Sequence, residues 1–419
     1  MADQSHRGFA AIFSALSNRG FLYYTLGALL SQIGNWVYRI ASGLLMWELT
    51  HSPIWLGILG FSLQAPAILS PIAGAYADRF DRLILARITQ VLLCLQGVAL
   101  ATLAIMDLVT PSLLALLSLT QGIIQSIDQP ARYSLYPTLI GPNDLTAAVA
   151  TDSITFNTAR LIGPTIAAYV ITFHGVGPAF VINAVTFALF SLLLCLVKAP
   201  KAPPRGAKEN NLFREVSDGI KYGLRHPGIG PALALLGIST LLAMPISHLL
   251  PGFAAQVFGG GAVELSVLTA TMGIGAMTGS LWLARRGHFM GLTAIMVRAL
   301  LISGLSMIAF TATDNFYFAL SAAFVIGGCH MIARGSCQTL VQNAVDGAMR
   351  GRAMSLFGLI FRGAPAIGAL ILGTAAEYFG LRVPFAVSGS LLILAWWLSS
   401  RRFTNMADVL EVEAKERVR

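Results

Sequence analysis

The chain has 419 residues, of which 56% are hydrophobic and 11% are charged, whereas about a quarter of an ordinary soluble domain is charged. Its mean hydropathy of +0.72 is too high for soluble cores of this size, because their surfaces need more polar side chains than the chain contains. This composition excludes a soluble enzyme, a nucleic-acid-binding protein and a secreted scaffold, and it predicts a membrane protein. The net charge of +9 is therefore interpreted from where the basic residues lie relative to the bilayer.

A membrane-spanning helix needs about 20 apolar residues, and the sequence contains a series of such stretches. The predicted spans, in chain order, are 21–47, 54–77, 84–106, 112–133, 153–173, 178–197, 229–250, 264–284, 291–312, 315–336, 354–376 and 383–399. We therefore expect an all-α polytopic membrane protein with twelve transmembrane helices. The long polar connection 198–228 predicts a cytoplasmic linker between two six-helix halves, 1–197 and 229–399, followed by a cytoplasmic tail, 400–419.

The basic residues indicate how the chain is oriented. With the N-terminus inside, every Lys and Arg outside the predicted spans lies in a cytoplasmic segment except Arg382. This distribution follows the positive-inside rule and predicts that both termini are cytoplasmic. We expect no cleavable signal peptide, because no compact apolar stretch with a small-residue cleavage site begins the chain.

The two predicted halves share an internal repeat. The pattern A-R-x-S begins at Ala131 and again at Ala333, and Arg160 and Arg362 recur at the same offset of 202 residues. Six-span halves repeated in parallel are typical of secondary transporters that alternate access around a central cavity. The repeat therefore favours a transporter.

The nine residues from Gly74 to Arg82 resemble the loop signature of the major facilitator superfamily, G-x-x-x-D-R-x-G-R, with Asp81 in place of the second glycine. The resemblance implies the twelve-helix fold of that superfamily and a conformational lock for one access state. Its residues would be Gly74, Asp78, Arg79 and Arg82.

Two further motifs resemble one branch of that superfamily, which contains the enterobactin exporter and the macrolide-efflux proteins. These are D-Q-P-A-R from Asp128 and N-T-A-R-L-I-G-P from Asn157. Gly163 and Pro164, at the end of the second motif, are similar to a signature of exporters. The resemblance implies outward transport, and the residue types indicate a hinge or a close helix contact, because proline removes a backbone hydrogen bond and glycine permits close approach.

Charged side chains inside the predicted spans are candidate binding groups, because burying an ionised group in hydrocarbon costs about 2.5 kcal/mol or more. Three arginines with few acidic partners would suit an anionic substrate. We predict a substrate site that consists of Asn35, Arg39, Arg160, His248 and Arg362. The alternative is that the arginines form internal pairs or bind backbone carbonyls.

Asp128 and His330 occupy equivalent positions in the repeat and are candidates for proton coupling, since a carboxylate and an imidazole can exchange protons. Two alternatives remain open. Asp128 would pair with Arg82 or Arg79, and His330 would be a packed histidine. The chain also has Ser118 and Asn35 where relatives often have an arginine and an acidic residue.

Together these observations predict a secondary active transporter of the bacterial inner membrane. It would export a small amphiphilic anion resembling a siderophore, coupled to H⁺ by antiport, as a monomer. We expect no enzymatic activity, no cofactor, no metal site and no nucleic-acid partner. The alternatives are broad drug or macrolide efflux, uptake, a membrane-embedded enzyme and a sensor.

Overall fold

The computed structural model describes residues 16–70, 80–140, 145–198, 221, 226–345, 349–401 and 406–412. Within them, twelve long helices follow the order of the twelve predicted spans. They are α1 (Arg19–Thr50), α2 (Pro53–Gln64), α3 (Arg82–Ile105), α4 (Pro111–Tyr133), α5 (Leu145–His174), α6 (Val176–Leu196), α7 (Ile229–Ala243), α8 (Ala262–Arg286), α9 (Leu292–Ala312), α10 (Phe316–Ala344), α11 (Arg350–Phe379) and α12 (Arg382–Ser400).

Several shorter elements extend or connect these helices. A 3-10 turn, Ala65–Leu69, continues α2, whereas Ile246–Gly252 and the π-helical turn Phe253–Val257 continue α7. A five-residue helix, Tyr136–Ile140, lies between α4 and α5 in the chain, and a second π-helical turn, Asp408–Val412, lies beyond α12. These interruptions were not predicted.

Eight of the helices in the described part of the chain are long and apolar enough to cross a membrane, by length and composition. They are α3, α6 and the six from α7 to α12. Of the others, α2 with its extension is apolar but shorter, and α1, α4 and α5 carry the polar side chains described below. The predicted fold class, an all-α polytopic membrane protein, is confirmed.

Local sequence explains where several helices begin. The carboxylate of Asp81 accepts hydrogen bonds from the backbone N–H groups of Leu83 (2.9 Å) and Ile84 (3.2 Å) at the start of α3. Thr110 and Asn315 cap α4 and α10 in the same way. A side-chain acceptor at this position satisfies donors that the first helical turn leaves unpaired. Asp81 therefore has a structural role where the superfamily signature has glycine.

The chain divides into two compact units. The first comprises Met1–Leu45 and Leu69–Lys208, and the second comprises Met46–Ile68 and Glu209–Arg419. This division follows packing, and it assigns α2 to the second unit, whereas the predicted halves follow chain order. The predicted boundaries of the two six-helix halves stay a prediction.

An aromatic cluster fills one end of the first unit. Phe21, Tyr24, Tyr136 and Phe190 are almost completely buried, and the rings of Tyr24 and Tyr136 meet edge to face with centroids 5.5 Å apart. Aromatic side chains in this arrangement combine large buried areas with favourable ring electrostatics. The cluster fixes α1 and α6 against the connection between α4 and α5.

Small residues allow close helix packing in the second unit. A methyl group on Gly279 of α8 would lie 2.5 Å from the carbonyl oxygen of Gly328 in α10. On α2, a methyl group on Gly57 would lie 3.1 Å from the Cα atom of Gly373 in α11. Helices that associate in a bilayer use small residues to bring their backbones together. Gly279 and Gly57 thus have a packing role.

Candidate functional site

The candidate site in the first unit is centred on the indole ring of Trp36 in α1. The guanidinium carbon of Arg39 lies 5.5 Å from the ring centroid, and that of Arg160, in α5, lies 5.7 Å from it. The ring of Phe156, one turn before Arg160, meets the indole edge to face at 6.3 Å between centroids. A cation within about 6 Å of an indole centroid is attracted by the negative face of the ring. Trp36 therefore holds two cations beside one aromatic surface.

Gly163 brings α5 close enough to α1 for this contact. A methyl group at this position would lie 3.2 Å from the carbonyl oxygen of Ile33 and would collide with the Trp36 side chain. Gly163 is buried, and α5 continues as one helix through Pro164. The glycine thus lies at a close approach of the two helices that carry the site.

A group of carboxamides lies on the same face of α1 as Arg39. The side-chain oxygen of Asn35 accepts hydrogen bonds from Gln125 Nε2 at 2.7 Å and from Gln121 Nε2 at 3.3 Å, both in α4. Residues i and i+4 of a helix lie on one face, so Asn35 and Arg39 are neighbours along α1. The Oε1 atom of Gln121 is buried without a hydrogen-bond partner among the described residues. The amides fix the polar edge of the site without adding negative charge.

Among the described residues, the two arginines of the site have no negative partner. In the described part of the chain, neither side chain forms a hydrogen bond or an ion pair, and the Nε atom of Arg160 is buried. Arg39 is exposed and Arg160 is half-buried. Since an uncompensated charge inside a membrane protein is costly, this arrangement is suited to a ligand that supplies the negative charge.

Asp128 lies in a different, fully paired environment. Its Oδ1 atom accepts hydrogen bonds from Thr89 Oγ1 (2.7 Å) and Gln90 Nε2 (2.8 Å), and its Oδ2 atom accepts one from Arg132 (3.3 Å). The carboxylate is buried, with 3% exposure. Among the described residues its ionic partner is Arg132, one turn later in α4, whereas Arg79, one of the two alternatives considered from the sequence, lies outside the described residues.

Arg132 links Asp128 to the aromatic cluster. Its Nε atom donates to the Tyr24 hydroxyl at 3.2 Å, and its guanidinium carbon lies 5.1 Å from the centroid of the Phe190 ring. The neighbouring Tyr136 hydroxyl donates to Asp152 at 2.6 Å. Tyr136 lies outside the spans, and burial, together with Tyr24 and Asp152, raises the pKa of this hydroxyl. It therefore remains a neutral donor, and the network ties α4 to α5.

The remaining candidates lie in the second unit. His248, in the continuation of α7, is hydrogen-bonded to Gln64 at the end of α2. His330 is buried, and its ring stacks on Phe361 of α11 with centroids 6.1 Å apart. The guanidinium carbon of Arg334 lies 4.2 Å from the centroid of the Phe361 ring. Arg362, the next residue in α11, is half-buried.

The structure thus brings together three of the predicted binding residues, Asn35, Arg39 and Arg160, in the first unit. His248 and Arg362 belong to the second unit. Of the predicted lock, Gly74, Asp78 and Arg79 lie outside the described residues. Arg82 is described, and its guanidinium donates to the Ser134 carbonyl oxygen at 3.0 Å.

Four residues of the candidate site were not predicted from the sequence. Gln121 and Gln125 are one helical turn apart, and this spacing could have indicated a polar face on α4. Trp36 and Phe156 were not assigned a role, because an aromatic side chain in a span suits a cavity wall and the membrane interface equally well. The contacts of Trp36 with Arg39 and Arg160, and of Phe156 with Trp36, now place both in the candidate site.

The comparisons with known proteins agree with this arrangement of helices. The family described as "Transmembrane secretion effector" matches residues 10–418. The staphyloferrin A transporter of Staphylococcus aureus is 25% identical to the chain, over 88% of this chain and 92% of that protein. Macrolide efflux protein A of Streptococcus pyogenes is 23% identical, over 88% and 93% of the two chains. The multidrug efflux pump Tap of Mycolicibacterium fortuitum is 25% identical, over 90% and 95%.

Solved structures of transporters share the fold. A POT family transporter in complex with 5-aminolevulinic acid superposes with a TM-score of 0.73 at 15% identity, over 92% of this chain and 97% of that one. A D-xylose–proton symporter superposes with a TM-score of 0.65 at 15% identity, over 90% and 95%. These likenesses concern the fold, whereas the match along the sequence defines the family. The chain belongs to the transmembrane secretion effectors, in the siderophore-transporter and macrolide-efflux branch of the major facilitator superfamily.

Proposed function

We propose that this transporter exports a small amphiphilic anion, resembling a siderophore, across the bacterial inner membrane. Transport proceeds by alternating access, and the counter-transported ion is H⁺. The protein acts as a monomer, both termini are cytoplasmic, and no cofactor or metal takes part. The chain is a transporter and not an enzyme.

One observation carries the choice of an anion. Arg39 and Arg160 lie beside the same indole ring and have no acidic partner among the described residues. A carboxylate binds a guanidinium through two parallel charge-assisted hydrogen bonds, which are about twice as strong as neutral ones. An anionic ligand would therefore bind more tightly at this site than a neutral or cationic ligand of the same shape.

The amphiphilic character follows from the aromatic part of the site. Phe156 is 41% exposed, and Trp36 is partly exposed beside the two arginines. Binding sites for small molecules are commonly apolar surfaces with a few well-placed polar groups. An apolar body against Phe156 and a carboxylate at the arginines would use both features.

The direction of transport and the kind of substrate are supported by the relatives. One of them is named a staphyloferrin A transporter, and two others are named efflux proteins. The basic residues of the predicted connections support cytoplasmic termini. We assign the lock to Gly74, Asp78, Arg79 and Arg82, by resemblance to the superfamily signature.

The coupling residues are proposed from their chemistry and position. Asp128 and His330 are both buried and occur at equivalent positions in the repeat. A proton taken up by Asp128 would weaken its pairing with Arg132, and this change would bias one access state. A substrate or an ion shifts such an equilibrium only through a difference in affinity for the two states. Gly163 and Pro164 provide the close contact and the hinge in α5.

In the second unit, we assign His248 and Arg362 to the substrate path. His248 lies in the continuation of α7. Arg362 lies in α11, at the position that corresponds to Arg160 in the repeat. Together with Asn35, Arg39 and Arg160, these two residues make up the proposed substrate-binding residues.

Macrolide or broad drug efflux is the second candidate, and the exposed aromatic ring of Phe156 favours it. This function would depend on apolar contacts, so replacing Arg39 or Arg160 by a neutral residue would change it little. The two candidates thus differ in their dependence on charge.

Metabolite profiling of the growth medium tests the proposed function. A strain that lacks the protein is grown in iron-poor medium beside its parent and a strain with the gene restored, and the spent media and cell extracts are compared by mass spectrometry. We expect one anionic metabolite to disappear from the medium, to accumulate in the cells and to return to the medium when the gene is restored. Unchanged media would refute siderophore export, and drug-susceptibility measurements would then test efflux.

A further inference from the structure

The two arginines of the candidate site present two separate positive charges. Each guanidinium carbon lies within 6 Å of the Trp36 centroid, so the two are at most about 11 Å apart. Arg39 and Arg160 come from different helices, so each approaches the ring along its own path. The charges repel each other, and no acidic side chain among the described residues pairs with either of them.

The polar groups beside the arginines carry no charge. Asn35 uses its side-chain oxygen to accept hydrogen bonds from Gln121 and Gln125. Asp128 is occupied by Thr89, Gln90 and Arg132, and Asp152 accepts from Tyr136. The site therefore holds two uncompensated cations, and one monovalent anion would neutralise only one of them.

We infer that the site recognises a ligand with two carboxylate groups, one for Arg39 and one for Arg160, joined by an apolar body that packs on Phe156. This inference rests on the proposed function and specifies its substrate class. Each guanidinium has a planar set of donors that matches one carboxylate. The two arginines come from different helices and contact one indole ring, so two carboxylates on a short apolar skeleton would satisfy both.

Three matched probes test the inference by calorimetric binding to the purified full-length protein in detergent. Phenylsuccinate has two carboxylates, 3-phenylpropionate has one, and phenethylammonium has a positive charge on a similar body. We expect phenylsuccinate to bind the unaltered protein at least about tenfold more tightly than 3-phenylpropionate, because one charge-assisted hydrogen bond commonly contributes this much. Equal affinities, or no measurable binding of phenylsuccinate, would overturn the inference.

The same measurements separate this inference from the proposed function. If neither carboxylate probe binds better than phenethylammonium, the proposal of an anionic substrate fails. If 3-phenylpropionate binds better than phenethylammonium but as tightly as phenylsuccinate, only the second carboxylate is refuted. Both comparisons use the unaltered protein, so they do not depend on whether a variant folds.

Arginine variants then locate the two carboxylates. In Arg39→Gln and in Arg160→Gln, the preference for phenylsuccinate over 3-phenylpropionate should fall to less than about twofold, because one binding group is lost. Arg298→Gln is the matched control, since Arg298 is an exposed arginine within α9, and it should keep the full preference. A preference that persists in both site variants would contradict the inference.

Discussion

The ion pair between Asp128 and Arg132 allows a stringent test of the packing of the first unit. In Asp128→Asn, the amide oxygen can still accept the hydrogen bonds from Thr89 and Gln90, and the amide nitrogen replaces the oxygen that faces Arg132. The change therefore removes mainly the interaction with Arg132, whose side chain is 9% exposed. Breaking a buried ion pair by altering one partner costs about 3–5 kcal/mol, because the other charge stays buried without compensation.

A double-mutant cycle measures this interaction through the free energy of unfolding. The protein, Asp128→Asn, Arg132→Gln and the double variant are unfolded at equilibrium in detergent. We expect each single variant to lose about 3–5 kcal/mol, and the double variant to lose less than the sum by about 1–3 kcal/mol. The cycle thus gives the coupling energy between Asp128 and Arg132 at this proposed coupling site.

A second acidic residue provides the control for this cycle. Asp314 pairs with Arg382, and the two side chains are 83% and 39% exposed. Exposed pairs contribute about 0–1 kcal/mol, so Asp314→Asn should lower the free energy of unfolding by no more than that. The reasoning would be refuted if Asp128→Asn were as mild as Asp314→Asn, or if the two single losses at Asp128 and Arg132 simply added.

Three further predictions concern packing and capping. Gly163→Ala should reduce export strongly, since the added methyl collides with Trp36, and the export assay described above checks it. Glu377→Ala should lower the free energy of unfolding by about 1–2 kcal/mol, because the carboxylate accepts hydrogen bonds from Ser52 Oγ (2.6 Å) and the Ile54 N–H (3.2 Å) at the start of α2. Glu411→Ala should make the turn beyond α12 more sensitive to proteolysis, because Glu411 accepts from the backbone N–H groups of Gly291 and Thr293 at the start of α9.

Each of these variants has a matched control in the chain. Gly358→Ala places a methyl where nothing lies within 4 Å, and a similar loss in both glycine variants would argue against the collision. Glu48→Ala removes an exposed acid at the end of α1. Equal free energies of unfolding for Glu48→Ala and Glu377→Ala would show that Glu377 has no capping role. Asp408→Ala lies in the same turn as Glu411 and is exposed, so equal proteolysis of both would refute docking through Glu411.

The order of the helices was predictable because hydrophobic length is a strong and local signal. The predicted helix ends were less accurate, because several helices continue through polar residues beyond their apolar stretch. Helix α5 begins at Leu145 and not at the predicted 153, and α10 continues to Ala344 beyond the predicted 336. Backbone hydrogen bonds, which apolar length does not report, determine these ends.

The candidate site was predictable in its charges but not in its contacts. Arg39 and Arg160 were conspicuous because arginine is rare in spans, and Asn35 because of its position. The contact between Trp36 and Arg160 depends on how α1 and α5 pack, and no local sequence pattern reports that.

The pairing of Glu377 with Ser52 joins residues far apart in the chain, so no local pattern could reveal it.

The central claim is that the export of an anion depends on Arg39 and Arg160. The most direct measurement is the amount of the anionic metabolite secreted by strains that carry the unaltered protein, Arg39→Gln, Arg160→Gln or the control Arg298→Gln, at equal amounts of protein in the membrane. We predict that secretion falls at least about tenfold in each of the two site variants, because a charge-assisted hydrogen bond is lost, and stays within about twofold in Arg298→Gln, whose side chain is exposed in α9. Undiminished secretion in Arg39→Gln and Arg160→Gln would contradict the account.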